Sequence, residues 1–312
     1  HNATRYAFTA SLVTHYTRTL RRRTAWTSRA LQLWSPSAVG FSSHRLNRYI
    51  NRNCAFSTQG RSAMSSSEND APVYLIFGAT GGIGSCLSRR LAALGARLVM
   101  AARDTERLKT LADELGAEAY PVDATQFEET SACAEAIIQR LGRLDGVANC
   151  VGSLLLKPAH TTTETEWMAT LATNLTSAFA VLRAAAKAMS ANGGSIVLVS
   201  SAAGRMGLAN HEAIAAAKAG VIGLTLSAAA TYAPRGIRIN CVAPGLVRTP
   251  MTARLMANEA SLKASTAMHA LGRVGEPADV AGAMEWLLGP DSAWVTGQVL
   301  GIDGGLASVR AR

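Results

Sequence analysis

Acidic residues and lysine are absent from the first 67 residues of this 312-residue chain, although the same segment contains ten arginines. Removing these ten arginines from the 31 basic residues leaves 21, which equals the 21 acidic residues of the chain. The formal charge of +10 therefore comes from the N-terminal segment, and the remainder of the protein is formally neutral. This distribution argues against a basic face for nucleic acid on the body of the protein.

Cysteines are few, and none has the spacing of a metal site. The five cysteines include no CxxC pair; they are Cys54, Cys86, Cys133, Cys150 and Cys241. We therefore expect reduced, buried thiols, with no disulfide and no metal. No run of 18 apolar residues occurs, which argues against a membrane-spanning helix. Hydrophobic residues make up 48% of the chain and charged ones only 17%, a balance typical of a globular protein.

The N-terminal segment is rich in Arg, Ser and Thr and free of acids, which is typical of an organelle import sequence. Its stretch LRRRTAWTSRALQLW has the composition of a basic amphipathic helix, and Arg52 precedes a cleavage region near Phe56. We expect residues 1–70 to be a targeting or disordered segment that directs import into mitochondria, with a plastid as the alternative. If Met64 is the true start, the protein is cytoplasmic.

From residue 73 onward, short apolar runs alternate with stretches long enough to form helices. The runs are VYLIFG, RLVMAA, EAYPVD, GVANCV, SIVLVS, IRINCVAP and VLGID. Nearly continuous apolar strands that alternate with helices predict a parallel sheet covered by helices on both faces. No internal repeat or linker interrupts the pattern. The sequence therefore predicts one doubly wound α/β domain, residues 71–312, with about seven strands.

A glycine-rich turn follows the first predicted strand. It reads GATGGIG and contains Gly78, Gly82, Ile83 and Gly84. Glycines allow the backbone to turn tightly and approach a pyrophosphate, and the helix that follows offers free N–H groups and a positive dipole end. At this place in an alternating domain, the turn predicts a dinucleotide-binding site.

The end of the second predicted strand indicates which dinucleotide is bound. Sites for NAD commonly have an acid here that holds the ribose hydroxyls. In this chain Ala102 takes that position and Arg103 follows, where its guanidinium can pair with a 2′-phosphate. The alternative is that Arg103 is an ordinary solvated side chain. The sequence favours NADP over NAD as the cofactor.

Several motifs occur together in one order along the chain. They are GATGGIG, VDAT, ANCVGS, TNLTSAF, VLVSSAAG, AAAKAGVIGLT, INCVAPGLVRTPM and GRVGEPADVA followed by VTGQVLGIDGG. In this set the chain resembles the short-chain dehydrogenase/reductase family, from about residue 72 to 305. The C-terminal half is most similar to the 3-oxoacyl-acyl-carrier-protein reductases. The resemblance implies a single Rossmann domain, a small-molecule carbonyl or alcohol substrate, and a homotetramer or homodimer with helices around 165–190 and 211–232 at the interfaces.

The resemblance also implies roles for individual residues. For the cofactor, it places Asp123 by the adenine ring, Asn149 as a support between strands, and Pro244, Gly245 and Thr249 around the nicotinamide. For the chemistry, it implies that Ser201 hydrogen-bonds the substrate carbonyl, that Lys218 binds the nicotinamide ribose and lowers the pKa of a neighbouring tyrosine, and that Asn174 holds a relay water. The structural alternatives are that Asn174 fixes a helix bend and that Ser201 caps a strand end.

The chain departs from the family pattern at two places. The usual Asn-Asn-Ala-Gly becomes Asn149-Cys150-Val151-Gly152, and the tyrosine of Tyr-x-x-x-Lys becomes Ile214. The spacing of 13 residues from Ser201 to Ile214 is the one expected between the family's serine and tyrosine. Reduction of a carbonyl needs a proton for the developing alkoxide, and loss of a general acid typically costs about 10²–10⁴-fold.

His211 is the obvious substitute acid, because it lies three residues before Ile214 and seven before Lys218. Helical side chains lean towards the N-terminus, however, which directs His211 away from the tyrosine's position. The alternative is a helix-start residue near the cofactor, with Asn210 as N-cap and Glu212 solvated.

Two functions remain open. One is an oxidoreductase with an altered acid, and the other is a dinucleotide-binding scaffold or structural subunit with impaired catalysis. Residues 251–270 are expected to form a mobile lid, and their Met and Ala content suggests a substrate with an apolar portion.

Overall fold

The computed structural model describes residues 71–310. The predicted targeting segment, Cys54 and Met64 lie outside this range. The strands are β1 (Val73–Phe77), β2 (Arg97–Ala102), β3 (Glu118–Pro121), β4 (Gly146–Asn149), β5 (Gly194–Val199), β6 (Ile237–Pro244) and β7 (Val299–Ile302). The α-helices are α1 (Gly82–Ala93), α2 (Thr105–Leu115), α3 (Phe127–Leu141), α4 (Glu164–Leu171), α5 (Ser177–Ala188), α6 (Glu212–Tyr232), α7 (Ala253–Met256), α8 (Glu259–Met268) and α9 (Pro277–Leu288).

The seven strands form one parallel sheet in the order β3-β2-β1-β4-β5-β6-β7. The order reverses between β1 and β4, which are hydrogen-bonded neighbours. The predicted doubly wound Rossmann sheet with seven strands is confirmed. In such sheets the ligand crevice lies beyond the carboxyl ends of the strands at the point of reversal.

The central strands are mostly apolar and buried because both faces of the sheet are covered, whereas the edge strands β3 and β7 are more exposed. One buried cluster includes Leu75, Val147 and Ile239, and another includes Ile76, Val197 and Val242. Neighbouring residues of each strand thus enter opposite cores, as the period of two requires. This explains why no polar alternation marked the strands in the sequence.

Local signals explain where several helices begin and end. The Asp104 side chain accepts a hydrogen bond from the Arg107 N–H and caps α2. Gly116 and Gly142 adopt left-handed conformations after α2 and α3 and end them there. These ends fix the lengths of the connections that return the chain to the sheet.

Among residues 71–310, one helix is long and apolar enough to cross a membrane by length and composition alone: Glu212–Arg235, with a mean hydropathy of 1.6. In the most apolar stretch of 18 residues of this helix, 44% of the residues are buried in the fold. It packs against β5 and β6 and carries the buried Lys218. Its apolar character is therefore that of a core helix.

Cysteines in the described residues are free thiols: Cys133 and Cys241 are buried, and Cys86 and Cys150 are half-buried. Burial raises the pKa of Cys133 to about 12 and that of Cys241 to about 11. These thiols are protonated at neutral pH and behave as small apolar side chains.

Candidate functional site

A cavity of about 960 Å³ opens at the carboxyl ends of the strands. The turns after β1, β2, β4, β5 and β6 supply its walls, and α8 covers one side. It extends across the reversal point between β1 and β4, which is the place that the sheet order predicts for a ligand.

The glycine turn after β1 is shaped so that only backbone fits. Gly78 has a φ of 72°, and a Cβ there would lie 2.8 Å from the carbonyl carbon of Cys150. A Cβ on Gly84 would collide with the Gly78 carbonyl oxygen. Gly81 caps α1 without any side-chain hydrogen bond, and the first turn of α1 carries no acid. The first turn of α1 therefore presents free N–H groups and a positive helix end to the cavity, as a pyrophosphate requires.

Arg103 lies at the cavity wall directly after β2, as the sequence predicted. The Asp123 carboxylate accepts hydrogen bonds from the backbone and hydroxyl of Thr125 at 3.0 and 2.8 Å. These bonds, and more weakly the charge of Arg103, lower the pKa of Asp123. Arg103 after β2 and Asp123 after β3 thus line the same cavity and are close enough for their charges to interact.

Arg107, which no sequence motif indicated, lines the same end. One of its Nη atoms donates to the Thr80 carbonyl oxygen at 3.0 Å, so the guanidinium lies over the glycine turn. A signal was present, because Arg107 lies in the first turn of the helix that directly follows Arg103 and the end of β2.

Residues predicted around the nicotinamide also lie together. Pro244, Gly245 and Thr249 line the cavity after β6, and Gly82 packs on Thr249, since a Cβ on Gly82 would lie 2.7 Å from its methyl carbon. Ile83 is also in the wall.

Gly84 and Asn149 do not line the cavity but stand directly behind it. Asn149 is buried, and its Oδ1 accepts the Val151 N–H at 3.1 Å. It therefore shapes the turn after β4, a role that fits the predicted support between strands.

Ser201 and Lys218 both line the cavity. Ser201 Oγ accepts the Ala203 N–H at 3.2 Å, which leaves the hydroxyl proton free to donate. Ser201 thus acts as a cap, the predicted structural alternative, and still faces the cavity. Lys218 is buried, and its Nζ donates to the Val199 carbonyl oxygen at 3.0 Å. Burial lowers the pKa of Lys218 from 10.5 to about 8.

Asn174 lies in a π-helical turn, Ala172–Thr176, between α4 and α5. Its Oδ1 accepts the Ser153 N–H at 3.1 Å, and its Nδ2 donates to Ser153 Oγ at 2.9 Å and to the Thr170 carbonyl at 3.0 Å. The side chain thus fastens the β4–α4 loop to the helix, which supports the predicted bend-fixing alternative. Ser153, a cavity residue that the sequence did not reveal, keeps a free hydroxyl proton.

Ile214 is buried in the first turn of α6 and lines the cavity one turn before Lys218. His211 lines it as well. The expected N-cap, Asn210, is a wrong prediction, because the N-cap of α6 is His211 itself with φ −112° and ψ 12°. Asn210 instead adopts a left-handed conformation, with φ 63°, and this ends any helical path before His211. His211 Nδ1 lies 2.7 Å from the Ala209 carbonyl oxygen, while Glu212 is exposed.

Residues 251–270 form α7 and α8 and supply an apolar wall through Met251, Leu255 and Met268. Met251 and Met268 are about half exposed, at 52% and 44%. His269, also in this wall, is buried and held by the Leu246 N–H and the Ser265 carbonyl. The predicted apolar side of the cavity is therefore present.

Comparison with known proteins agrees with this geometry. Residues 78–307 match a family model described as enoyl-(acyl carrier protein) reductase. The chain is 35% identical over 244 residues to the 3-oxoacyl-acyl-carrier-protein reductase of Vibrio cholerae, covering 76% of this chain and 98% of that protein. It is 38% identical over 239 residues to carbonyl reductase family member 4 of Danio rerio, covering 74% and 96%.

Two solved structures are also similar to this chain. A variant of actinorhodin polyketide ketoreductase with NADPH superposes with a TM-score of 0.74 at 32% identity, covering 79% of this chain and 100% of that one. The structure of ElxO with NADP bound superposes with a TM-score of 0.73 at 30% identity, covering 77% and 100%.

Proposed function

We propose a function from one premise: the chain belongs to the short-chain dehydrogenase/reductase family, whose members are NAD(P)-dependent oxidoreductases. The proposed reaction is NADP-dependent interconversion of a carbonyl and an alcohol, with a proton donor other than the family's tyrosine. The observation that carries it is the grouping of Ser201 and Lys218 in one cavity with a glycine turn that only backbone fits.

The residues at the β1 and β2 end fit NADP. The glycine turn and the open start of α1 suit the pyrophosphate, and β2 ends in Ala102 rather than in an acid that would hold ribose hydroxyls. Arg103 and Arg107 supply two guanidinium groups for a 2′-phosphate. NADP and NADPH in the structures of two similar proteins support the same choice. When bound, the cofactor supplies the hydride.

At the other end, the residues of this chain hold the substrate oxygen. The free hydroxyl proton of Ser201 can donate to a carbonyl oxygen, and the Lys218 ammonium places positive charge where negative charge develops. By the family pattern, Ile214 stands where a tyrosine donates the proton, and its side chain has no proton to give.

We assign proton donation to His211. Its Nδ1 hydrogen bond to the Ala209 carbonyl fixes a proton on that nitrogen and leaves Nε2 to exchange a proton with the substrate oxygen. His211 lines the cavity together with Ser201, which supports this assignment. The substrate is a carbonyl compound with an apolar portion, because Met251, Leu255 and Met268 form the wall opposite.

The test compares NADPH oxidation by the unmodified protein and by His211→Gln across a panel of activated ketones. We expect turnover to fall about 10²-fold or more with NADPH affinity unchanged. Glutamine keeps the polar size of the side chain but carries no transferable proton. Unchanged turnover would show that the proton comes from elsewhere.

Replacing Ile214 with tyrosine tests the same site from the other side. Ile214→Tyr is expected to raise ketone reduction up to about 10²-fold, since Lys218 stands one helical turn away to lower the phenol pKa. Ile214→Phe is the matched control, because it adds the ring without the hydroxyl. Equal rates for the two variants would show that a phenol at position 214 adds no proton transfer beyond that of His211.

The buried Ile214 also favours a second candidate, a dinucleotide-binding scaffold without standard catalysis. The same experiments decide between the two. If the native protein binds NADPH and neither it nor Ile214→Tyr reduces any ketone, the scaffold becomes the better assignment.

We further propose import and self-assembly. The composition of residues 1–70 supports mitochondrial import, with a plastid as the alternative, and a reporter fused to this segment tests it.

Exposed apolar side chains on the predicted interface helices support a homotetramer or homodimer: Trp167, Met168, Phe179 and Leu226. Sedimentation as a monomer at micromolar concentration would contradict the assembly.

A further inference from the structure

Asn210 is the only non-glycine residue with positive φ among residues 71–310, at 63°. Left-handed conformations are unfavourable for an L-residue, though less so for Asn, whose short side chain tolerates them. Such outliers persist only where the surroundings enforce them, and they concentrate at functional sites. Asn210 lines the cavity directly before His211.

One hydrogen bond and one ion pair hold the loop that carries Asn210 in place. Its carbonyl oxygen accepts the Lys157 N–H at 2.7 Å, which joins the loop before α6 to the loop between β4 and α4. Lys157 Nζ in turn donates to both carboxylate oxygens of Glu166, at 2.9 and 2.7 Å. Glu166 belongs to the capping box that begins α4, together with Thr163. The loop carrying Asn210 is therefore anchored to the first turn of a helix.

The anchor persists over the pH range in which histidine titrates. The hydrogen bond from Lys157, with that from the Thr163 N–H, lowers the pKa of Glu166 to about 2. Glu166 thus stays ionised around neutral pH, where it accepts the Lys157 Nζ hydrogen bonds.

The left-handed residue also sets the orientation of the neighbouring imidazole. His211 Nδ1 bonds to the carbonyl oxygen of Ala209, two residues earlier. Asn210 lies between Ala209 and His211, so its left-handed backbone sets the direction in which the His211 side chain meets that carbonyl. The Nδ1 contact then leaves Nε2 as the free nitrogen of a side chain that lines the cavity.

We propose that Asn210 is a positioning residue that holds the His211 imidazole with Nε2 directed to the substrate. The left-handed turn and the bond from Lys157 keep the imidazole in place while it gives up and regains a proton. This inference rests on the proposed function of His211 as proton donor. Asparagine suits the position because it accepts the left-handed conformation and has less backbone freedom than glycine.

The experiment compares Asn210→Val with Asn210→Gly. Valine is β-branched and resists positive φ, whereas glycine adopts it freely and keeps the carbonyl that accepts the Lys157 N–H. A displacement of about 1 Å costs about 10²-fold, so we expect kcat to fall roughly 10- to 100-fold in Asn210→Val with KM and NADPH affinity unchanged. Asn210→Gly is expected to retain kcat within about twofold.

A double-mutant cycle separates positioning from a general loss of structure. In a His211→Gln background, Asn210→Val is expected to leave the residual kcat unchanged, because the side chain that it displaces is already inactive. An equal fall in both backgrounds would overturn the proposal. If Asn210→Val does not fold, Asn210→Ala, with a smaller conflict at positive φ, serves in the same cycle.

The hold of Asn210 on the orientation of the His211 imidazole is called the clamp below. Nitrogen-15 NMR of the imidazole tests it without any turnover. The unmodified protein should show His211 as the Nδ1–H tautomer, and Asn210→Val should shift it towards a mixture with Nε2–H. A signal identical in both proteins would overturn the clamp even if His211 is the acid. Conversely, a shift in a protein without ketone reduction would keep the clamp and refute the proposed function.

Discussion

At the β1–α1 turn the wall of the cavity is main chain, and at the start of α6 it is a set of single side chains. A Cβ on Gly78 would lie 2.8 Å from neighbouring backbone, so this position admits glycine alone. Ile214 and Lys218 project from a regular helix whose backbone accepts most residues. The first region therefore fixes ligand shape through the fold itself. The second can lose a chemical group, such as a phenol, without losing the fold.

The largest expected effect comes from a substitution in the glycine turn between β1 and α1, which is the backbone end of the cavity. Gly78→Ala is expected to destabilise the protein by about 2–5 kcal/mol, combining the cost of positive φ with overpacking against Cys150. NADPH binding should be lost with it. Gly116→Ala is the matched control, since Gly116 has a φ of 60° with no atom within 4 Å of its Cβ position. Urea unfolding should show only about 1–2 kcal/mol for that control. Equal losses would mean that strain alone, without the close packing, accounts for Gly78.

The next largest expected effect is a dependence of protein stability on pH. It is caused by the buried Lys218 of α6, at the side-chain end of the cavity. Below about pH 8 Lys218 is charged in the folded and unfolded protein alike, so the cost of its burial is present in full. Between about pH 8 and 10.5 the folded protein loses the proton while the unfolded chain keeps it, so stability rises with pH. The relief is about 3 kcal/mol at most.

Urea unfolding of the unmodified protein and of Lys218→Met at pH 7.5 and pH 10.5 measures this relief. Relative to Lys218→Met, the unmodified protein should gain stability as pH rises. Lys109→Met is the control, because Lys109 is exposed and paired with Asp113. If the difference in unfolding free energy between the unmodified protein and Lys218→Met did not change with pH, the lowered pKa of Lys218 would be contradicted.

The smallest expected effect concerns Arg103 and Arg107, the two arginines that line the backbone end of the cavity. Removing the guanidinium in Arg103→Ala or in Arg107→Ala is expected to weaken NADPH binding about tenfold each, because each loses a charge-assisted hydrogen bond to phosphate. NADH binding should not change, and fluorescence titration measures both. Lys109→Ala, on α2 but away from the cavity, controls for net charge. Parallel losses for NADH would show that neither arginine reads the 2′-phosphate.

The backbone end was predictable from sequence, and the side-chain end only in part. The Gly78 turn could be located because closely spaced glycines between an apolar strand and a helix are typical of a phosphate-binding turn. Ser201 and Lys218 lie together as the family resemblance implied. The cap of α6 was mispredicted, because Asn commonly caps helices and commonly adopts left-handed φ, and sequence does not separate these uses. Contacts between distant loops, such as Ser153 with Asn174, leave no periodic trace at all.

The π-helical turn at Ala172–Thr176 has a consequence for the helix that follows it. A turn with one residue more than the α-helical repeat advances every later side chain by about 100° around the axis. With that advance, α5 turns Ala178, Val181 and Ala185 towards the core. Residue count, rather than residue identity, therefore decides which face of α5 is inside. Deletion of a single residue from the turn would rotate the later side chains of α5 by about 100° and so change which of them face the core.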